Sequence, residues 1–437
     1  MKNLDPNTPI TNIKSKIENF VVMELMTPGV RGAMVYTTSA GISQVTQMIY
    51  SLLLARWLGP DFYGILSACY VAGSLSVFLI AWGMDTWLLR KGSLETDPRD
   101  LVRRILWIKM LFAIVWGPAL WLIFTSIRPD VYIPGILALS LIDIALENEF
   151  TTLSTSLTIK NRVSQVSSLI ILSRGLRLLS ALALVLIDVK LILPFVVARL
   201  SCTIIILLIT LRISNLGVLR PPKLNFKGII RESLPYGTSE FLAMVYGQVD
   251  VLMISLMISR TFVGLYAPAI SILNAIITVL GASYQFLIPS VTRNLTKLGI
   301  NFGALAKKLG VGYFVIGAIL WLGFGLFGER IAVLALGERY QLTGQLVRIL
   351  SPILFLKSLS MCCAIILVAV DWQKKRIIPQ IGSTIANVGL NLWAIPRFGV
   401  VGAANVFVVS EGILLLGYAY WTIRYFILER GSIVDRD

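Results

Sequence analysis

Histidine is absent from this 437-residue chain. That removes the side chain that most often shuttles protons near neutral pH and ligates metals. Cysteine is scarce: Cys69, Cys202, Cys362 and Cys363 fall in apolar runs, at spacings that suit neither a metal site nor a disulfide framework. Charged residues make up only 14% of the sequence, too few to coat a water-soluble fold. No GxxxxGK[ST] loop occurs, so the chain is not expected to hydrolyse ATP. The first 32 residues lack the continuous apolar core of a signal peptide, because Asp5, Glu18 and Glu24 interrupt them. From these gaps we expect no catalytic residue, no cofactor and no metal site.

Apolar residues are abundant instead, at 56% of the chain, and several runs reach the length of about 20 residues that crosses a bilayer. The expected class is an all-α integral membrane protein. A net charge of +16 would suggest nucleic acid in a soluble domain. In a membrane protein it reflects Lys and Arg collecting in cytoplasmic loops, so no nucleic-acid partner is expected.

The longest polar interruption, Arg212 to Arg231, lies almost at the midpoint. It carries Arg212, Arg220, Lys223, Lys227 and Arg231 without an acid, and Pro221-Pro222 stops any helix. Six hydrophobic segments precede it and six follow. The twelve expected spans are 33–55, 63–88, 104–125, 132–158, 163–187, 190–211, 233–258, 262–286, 308–328, 344–369, 376–395 and 401–427. The implied organisation is a cytoplasmic lead-in over 1–32, with a surface helix around Ile13 to Met26, then a six-helix lobe over 33–211. A cytoplasmic link over 212–232, a second six-helix lobe over 233–427 and a cytoplasmic tail over 428–437 complete it. With this drawing 26 basic residues fall on one side and seven on the other, which places both termini and the link in the cytoplasm.

The halves echo one another. Phe62-Tyr63-Gly64-Ile65 returns as Phe262-Val263-Gly264-Leu265, offset by 200. Arg174-Gly175-Leu176-Arg177 lies opposite Val388-Gly389-Leu390-Asn391, and Arg199 and Arg212 match Glu411 and Arg424. Order and spacing are kept and corresponding spans run the same way. Parallel repeats about a pseudo-two-fold axis along the membrane normal follow, with a site at their interface.

Ala55-Arg56-Trp57-Leu58-Gly59-Pro60-Asp61-Phe62-Tyr63-Gly64 resembles the first outer turn of polysaccharide flippases, and Gly83-Met84-Asp85 through Leu89-Arg90 the end of their second span. Asp250 followed by Val263-Gly264-Leu265-Tyr266-Ala267 is similar to their seventh and eighth helices. Asn387-Val388-Gly389-Leu390-Asn391 through Pro396-Arg397-Phe398-Gly399-Val400-Val401-Gly402-Ala403-Ala404 is similar to their eleventh and twelfth. The resemblance covers nearly the whole chain. It implies the O-antigen and exopolysaccharide branch of the multidrug/oligosaccharidyl-lipid/polysaccharide flippase superfamily. It further implies movement of a lipid-linked oligosaccharide, usually on undecaprenyl pyrophosphate, across the bacterial inner membrane by alternating access. Membrane lipids and polysaccharide assembly proteins are the other partners implied. Cation-coupled drug exporters and peptidoglycan-precursor flippases of the same superfamily are the alternatives, and a membrane glycosyltransferase or polymerase is disfavoured by the short outer connections.

A charge near the bilayer centre costs roughly 2.5–3.5 kcal/mol by insertion scales, so each one within a span needs protein, water or a ligand to face. The first half offers Asp85, Lys109, Asp143, Glu147, Arg174, Arg177 and Arg199; the second Glu240, Asp250, Lys357 and Glu411. Arg174 and Glu147 lie at one depth, Arg177 and Asp143 at another, on adjacent antiparallel spans. Two readings stay open there: structural ion pairs matched by depth, or arginines whose guanidinium forks hold a lipid pyrophosphate in the cavity. Under the second, Arg174, Arg177, Arg199, Lys109 and Lys357 are substrate-binding candidates. Glu240, Asp250 and Glu411 are candidates for a coupling ion.

Overall fold

A bilayer core offers no water to backbone N–H and C=O groups, so apolar runs of this length fold as helices that satisfy those groups internally. The computed structural model describes residues 28–95, 97–216, 226–297, 302–370 and 372–434. The expected surface helix around Ile13 to Met26, and Pro221-Pro222 of the link, lie outside them. The first half comprises α1 (Pro28–Ala81), α2 (Met84–Gly92), α3 (Arg99–Ile127), α4 (Pro134–Ile159), α5 (Val163–Leu186) and α6 (Ile192–Ser214). The second comprises α7 (Phe226–Met257), α8 (Arg260–Lys297), α9 (Phe302–Leu336), α10 (Gln341–Leu350), α11 (Pro352–Ala369) and α12 (Gln373–Val434).

Two of these helices cross twice. α1 breaks at Gly59 (φ 77°) and α12 at Gly399 (φ 59°), left-handed conformations in which an L side chain would be strained. α2 prolongs the second crossing after a turn at Trp82-Gly83, and α10 with α11 makes the tenth. Length and apolarity alone pick out eight helices, or nine with the bent α7 taken as one. α4 misses that test because Asp143, Glu147 and Glu149 interrupt it. With α4 included and α1 and α12 each crossing twice, the described residues form twelve spans. This is an all-helical, multi-pass membrane protein of two six-helix lobes.

Boundaries shift modestly from those expected. α9 runs on to Leu336 rather than 328, so the turn after it is confined to Gly337–Tyr340. The last helix reaches Val434, so the expected tail is helical over 428–434, while 435–437 lie outside the described residues. Parts of the expected link are also helical, because α6 ends at Ser214 and α7 begins at Phe226.

The lobes meet tightly at the face of the bundle opposite the Pro28 and Val434 ends. There Gly64 lies against the Arg260 carbonyl and Gly264 against the Pro60 carbonyl, while Thr261 donates to Asp61 at 2.5 Å. Thr261 and Asp61 are offset by 200, and the Gly64–Arg260 and Gly264–Pro60 contacts exchange with one another under that offset. That is the mark of a self-complementary interface about a two-fold axis. Leu54, Ile65, Ile254 and Val263 bury the apolar surface around it. Arg128 adds a latch, donating to the carbonyls of Leu256 (2.9 Å) and Ile258 (3.1 Å) across the lobes. The same guanidinium holds the Asp130 carboxyl in the loop between α3 and α4 below the usual carboxylate range through two hydrogen bonds.

Candidate functional site

Between the lobes lies a cavity of about 770 Å³, and its charged lining is Asp85, Glu147, Arg174, Arg199 and Glu240. The first-half wall is built by α4, α5 and α6. Arg199 bonds Asp143 at 2.8 Å and approaches Glu147 at 3.4 Å, with its guanidinium over the Tyr70 ring at 3.7 Å. Arg174 and Arg177 each reach Glu147 at 3.2 Å. Thr203 ties the group together, donating to Asp143 and accepting from Arg177 at 2.9 Å. Three guanidiniums thus face two carboxylates, and one positive charge is left in this cluster.

Of the two pairs matched by depth, Arg174 with Glu147 is present and the other is corrected. Arg177 bonds Glu147 rather than Asp143, and Arg199 takes Asp143. The reason is packing: α4 lies far more extensively against α6 than against α5, so a helix two spans away supplies the closest cation. Equal depth on consecutive spans carried no information about that neighbour.

Arg177 is 1% exposed and does not reach the cavity; Arg174 (26%) and Arg199 (12%) do. Lys109 also stays out of it. That ammonium is wholly buried, donating to Asp85 (2.5 Å), the Asn148 side chain (3.0 Å) and Thr152 (2.8 Å). It acts behind the wall, fixing Asp85, which does line the cavity.

The second cluster is in the other lobe. Lys357 bonds Glu411 at 2.9 Å, Tyr246 donates to the same carboxylate oxygen, and the Lys357 ammonium sits 5.0 Å from the Tyr246 ring centre. These two charges, without evident partners in the sequence, are each other's partner. Asp250 is buried and accepts from Asn391 at 2.7 Å and from Tyr266 at 3.3 Å, and Asn391 in turn donates to Asn387 at 3.2 Å. The sequence reading missed Asn387 and Asn391 as polar partners, although their four-residue spacing put them on one helix face. Asp250, Glu411 and Lys357 together leave one negative charge. Arg199 and Glu411, matched by the repeat, therefore sit in clusters of opposite sign.

Lys357 lines a second cavity of about 390 Å³. Gly247 and Asn274 border both cavities, so the two adjoin. Among the described residues no three His, Cys, Asp or Glu side chains are grouped to hold a metal ion.

Glu240 sits at the end of the cavity nearer the chain termini. It accepts from Thr86, and next to it Arg90 donates to Tyr236 (2.7 Å) and Lys91 to Glu232 (2.7 Å). These contacts join α2 to α7, with Gly83 against Gly237 and Phe78 on Phe241 at 4.4 Å. The cavity is therefore bounded by lobe-to-lobe contacts at both ends.

Likeness to known proteins agrees with this geometry. The family model for polysaccharide biosynthesis proteins matches residues 30–295. The lipid II flippase MurJ in an inward closed conformation superposes with a TM-score of 0.70 at 13% identity, covering 88% of this chain and 86% of that one. An outward-facing multidrug-resistance MATE family transporter of the MOP superfamily gives 0.57 at 14% identity, covering 91% and 96%. Its inward-facing counterpart gives 0.59 at 14%, covering 92% and 96%. Among curated proteins none matches this sequence. With twelve spans in two lobes around a charged cavity, and with most of its length matched by the family model, the chain has the fold of MOP-superfamily transporters and belongs to the polysaccharide biosynthesis protein family.

Proposed function

We propose that this protein flips a lipid-linked oligosaccharide, of the undecaprenyl-pyrophosphate type, from the cytoplasmic to the outer leaflet of the bacterial inner membrane. The face bearing the chain termini is the cytoplasmic one in this reading, and the glycan serves O-antigen or exopolysaccharide biosynthesis alongside assembly proteins. The observation that carries it is the cluster of three guanidiniums on two carboxylates in the first lobe, which brings Arg174 and Arg199 to the cavity. Pyrophosphate crossing the low-dielectric midplane needs cationic partners, and arginine forks bind phosphate oxygens in pairs. Arg174 and Arg199 are the groups that touch it; Arg177 and Lys109 hold the wall in shape. The lobe contacts at either end of the cavity act as the two gates of alternating access.

The opposite sign of the second cluster supports a coupling role there. Asp250, braced by Asn391 and Tyr266, and Glu411, beside Lys357, supply carboxylate oxygens in the second lobe. A cation bound there would bias one lobe arrangement over the other. The multidrug-exporter and peptidoglycan-precursor alternatives share the fold and differ in cargo. Cells lacking the protein decide among them: lipid-linked oligosaccharide should accumulate on the cytoplasmic leaflet while the enzymes that build it stay active. Normal glycan export with reduced dye efflux would sink the flippase reading in favour of the exporter.

A further inference from the structure

Glu149 is the one carboxylate of α4 that the wall of arginines does not use. It follows Asn148, which accepts from Lys109, but Glu149 itself makes no hydrogen bond or ion pair among the described residues. It lines a separate groove of about 520 Å³ on the flank of the first lobe, between α1, α3 and α4. The groove runs along α3 from Met110 to Trp121, where Pro118 removes a backbone donor. Its rim is exposed on the outside of the bundle at Met110, Ile114 and Ile142, side chains that face lipid in a membrane.

A carboxylate in such surroundings needs a partner, a metal or a proton. A metal would need further donors, and the other polar side chain in the lining is Ser76, already bonded to the Gly73 carbonyl. Taken element by element, α1 presents Ser76 and Ile80, and α3 presents apolar side chains ending at Trp121. Neither contributes a second ionisable group to the groove. The charges that act on Glu149 come from behind it: Lys109 of α3 and Asp85 of α2, the pair joined at 2.5 Å. They act on Glu149 with opposite signs, and neither gives it a hydrogen bond in place of the hydration that an anion would lose.

We infer that Glu149 is a proton-binding site inside the membrane, opening to the lipid-facing groove and linked through Lys109 to Asp85 on the wall of the central cavity. The carboxyl carries its proton while Asp85 neutralises Lys109. When Asp85 is drawn away, by a ligand or by movement of α2, the freed ammonium favours the carboxylate and the proton leaves. A proton on the flank of the lobe thereby reports on, and biases, the cavity. This goes beyond the flippase reading and stands whatever the cargo is.

The test is labelling by N,N′-dicyclohexylcarbodiimide, an apolar reagent that needs the protonated acid. The carboxyl oxygen adds to the carbodiimide carbon and the proton moves to nitrogen. The O-acylisourea then rearranges to a stable N-acylurea, so the protein gains one reagent molecule and loses nothing. In the full chain in proteoliposomes, mass spectrometry should find the adduct on Glu149, absent in Glu149→Gln and fading as pH rises. In Asp85→Asn, labelling should fade at a pH lower by roughly one unit, as expected for an opposite charge left unbalanced nearby. A folded wild-type protein unlabelled at Glu149 at every pH, or labelled equally at all, overturns the site. An unchanged midpoint in folded Asp85→Asn overturns the link. The wild-type labelling curve needs no variant to fold.

Discussion

Arg174, Arg177 and Arg199 converge on the same two acids, yet their substitution should have different consequences. Arg199 is the direct ion partner of Asp143, which is fully buried. Arg199→Gln strands that carboxylate with Thr203 and should destabilise the protein by about 3–5 kcal/mol, the cost of breaking a buried pair from one side. Adding Asp143→Asn should restore thermal stability in detergent. Glu147 accepts from three arginines, so Arg174→Gln leaves it two and should not lower the amount of folded protein. Transport is a different matter. A charged hydrogen bond to phosphate contributes about 1.5–3 kcal/mol, so Arg174→Gln should slow flipping about tenfold or more at equal folded protein. Full transport in Arg174→Gln would remove that side chain from the substrate site.

At the scale of elements, the outer seal depends on two short helical turns whose backbones touch. A methyl group at Gly64 would overlap the Arg260 carbonyl, and one at Gly264 the Pro60 carbonyl. Neither neighbour is a side chain that could rotate away, so Gly64→Ala must push α1 and α8 apart and favour the arrangement open at this face. Ser271 lines the cavity just below, 3.0 Å from Ser51 across the lobes. A Ser271→Cys reporter should therefore react faster with a membrane-impermeant maleimide added outside intact cells when Gly64→Ala is present. Equal rates in the two backgrounds, with equal folded protein, would show that the seal does not depend on this approach.

The whole molecule is polarised in two ways. Along the membrane normal, the face with Lys91, Arg99 and the chain ends is rich in basic residues, and the face with Gly59, Asp130 and Gly337 is poor in them. Reporters fused after Gly337 and after Val434 should register opposite sides of the membrane, with Val434 in the cytoplasm; agreement between them would refute the twelve-span topology. Across the membrane plane, the buried cluster of the first lobe sets three guanidiniums against two carboxylates, and that of the second sets one ammonium near two carboxylates. On the flippase reading proposed above, that division would keep an anionic headgroup and a coupling cation at separate sites.

Twelve spans and two parallel lobes were legible in the sequence because hydrophobic length, basic-residue bias and the echo between the halves are signals a sequence carries directly. Even the axis contact was foreshadowed, since the Gly64 and Gly264 echo fell on the positions that touch. The partners of the buried charges were legible only in part. Arg174 meets Glu147 as their equal depth on consecutive spans suggested, but Asp143 takes Arg199 from two spans away and Lys357 takes Glu411, because which spans lie against one another is decided by packing and not by depth along a span. Glu149 went unnoticed because three acids within seven residues look alike in sequence. Only the tertiary structure turns Asp143 and Glu147 toward the arginines and leaves Glu149 facing an apolar groove, where its environment sets its chemistry.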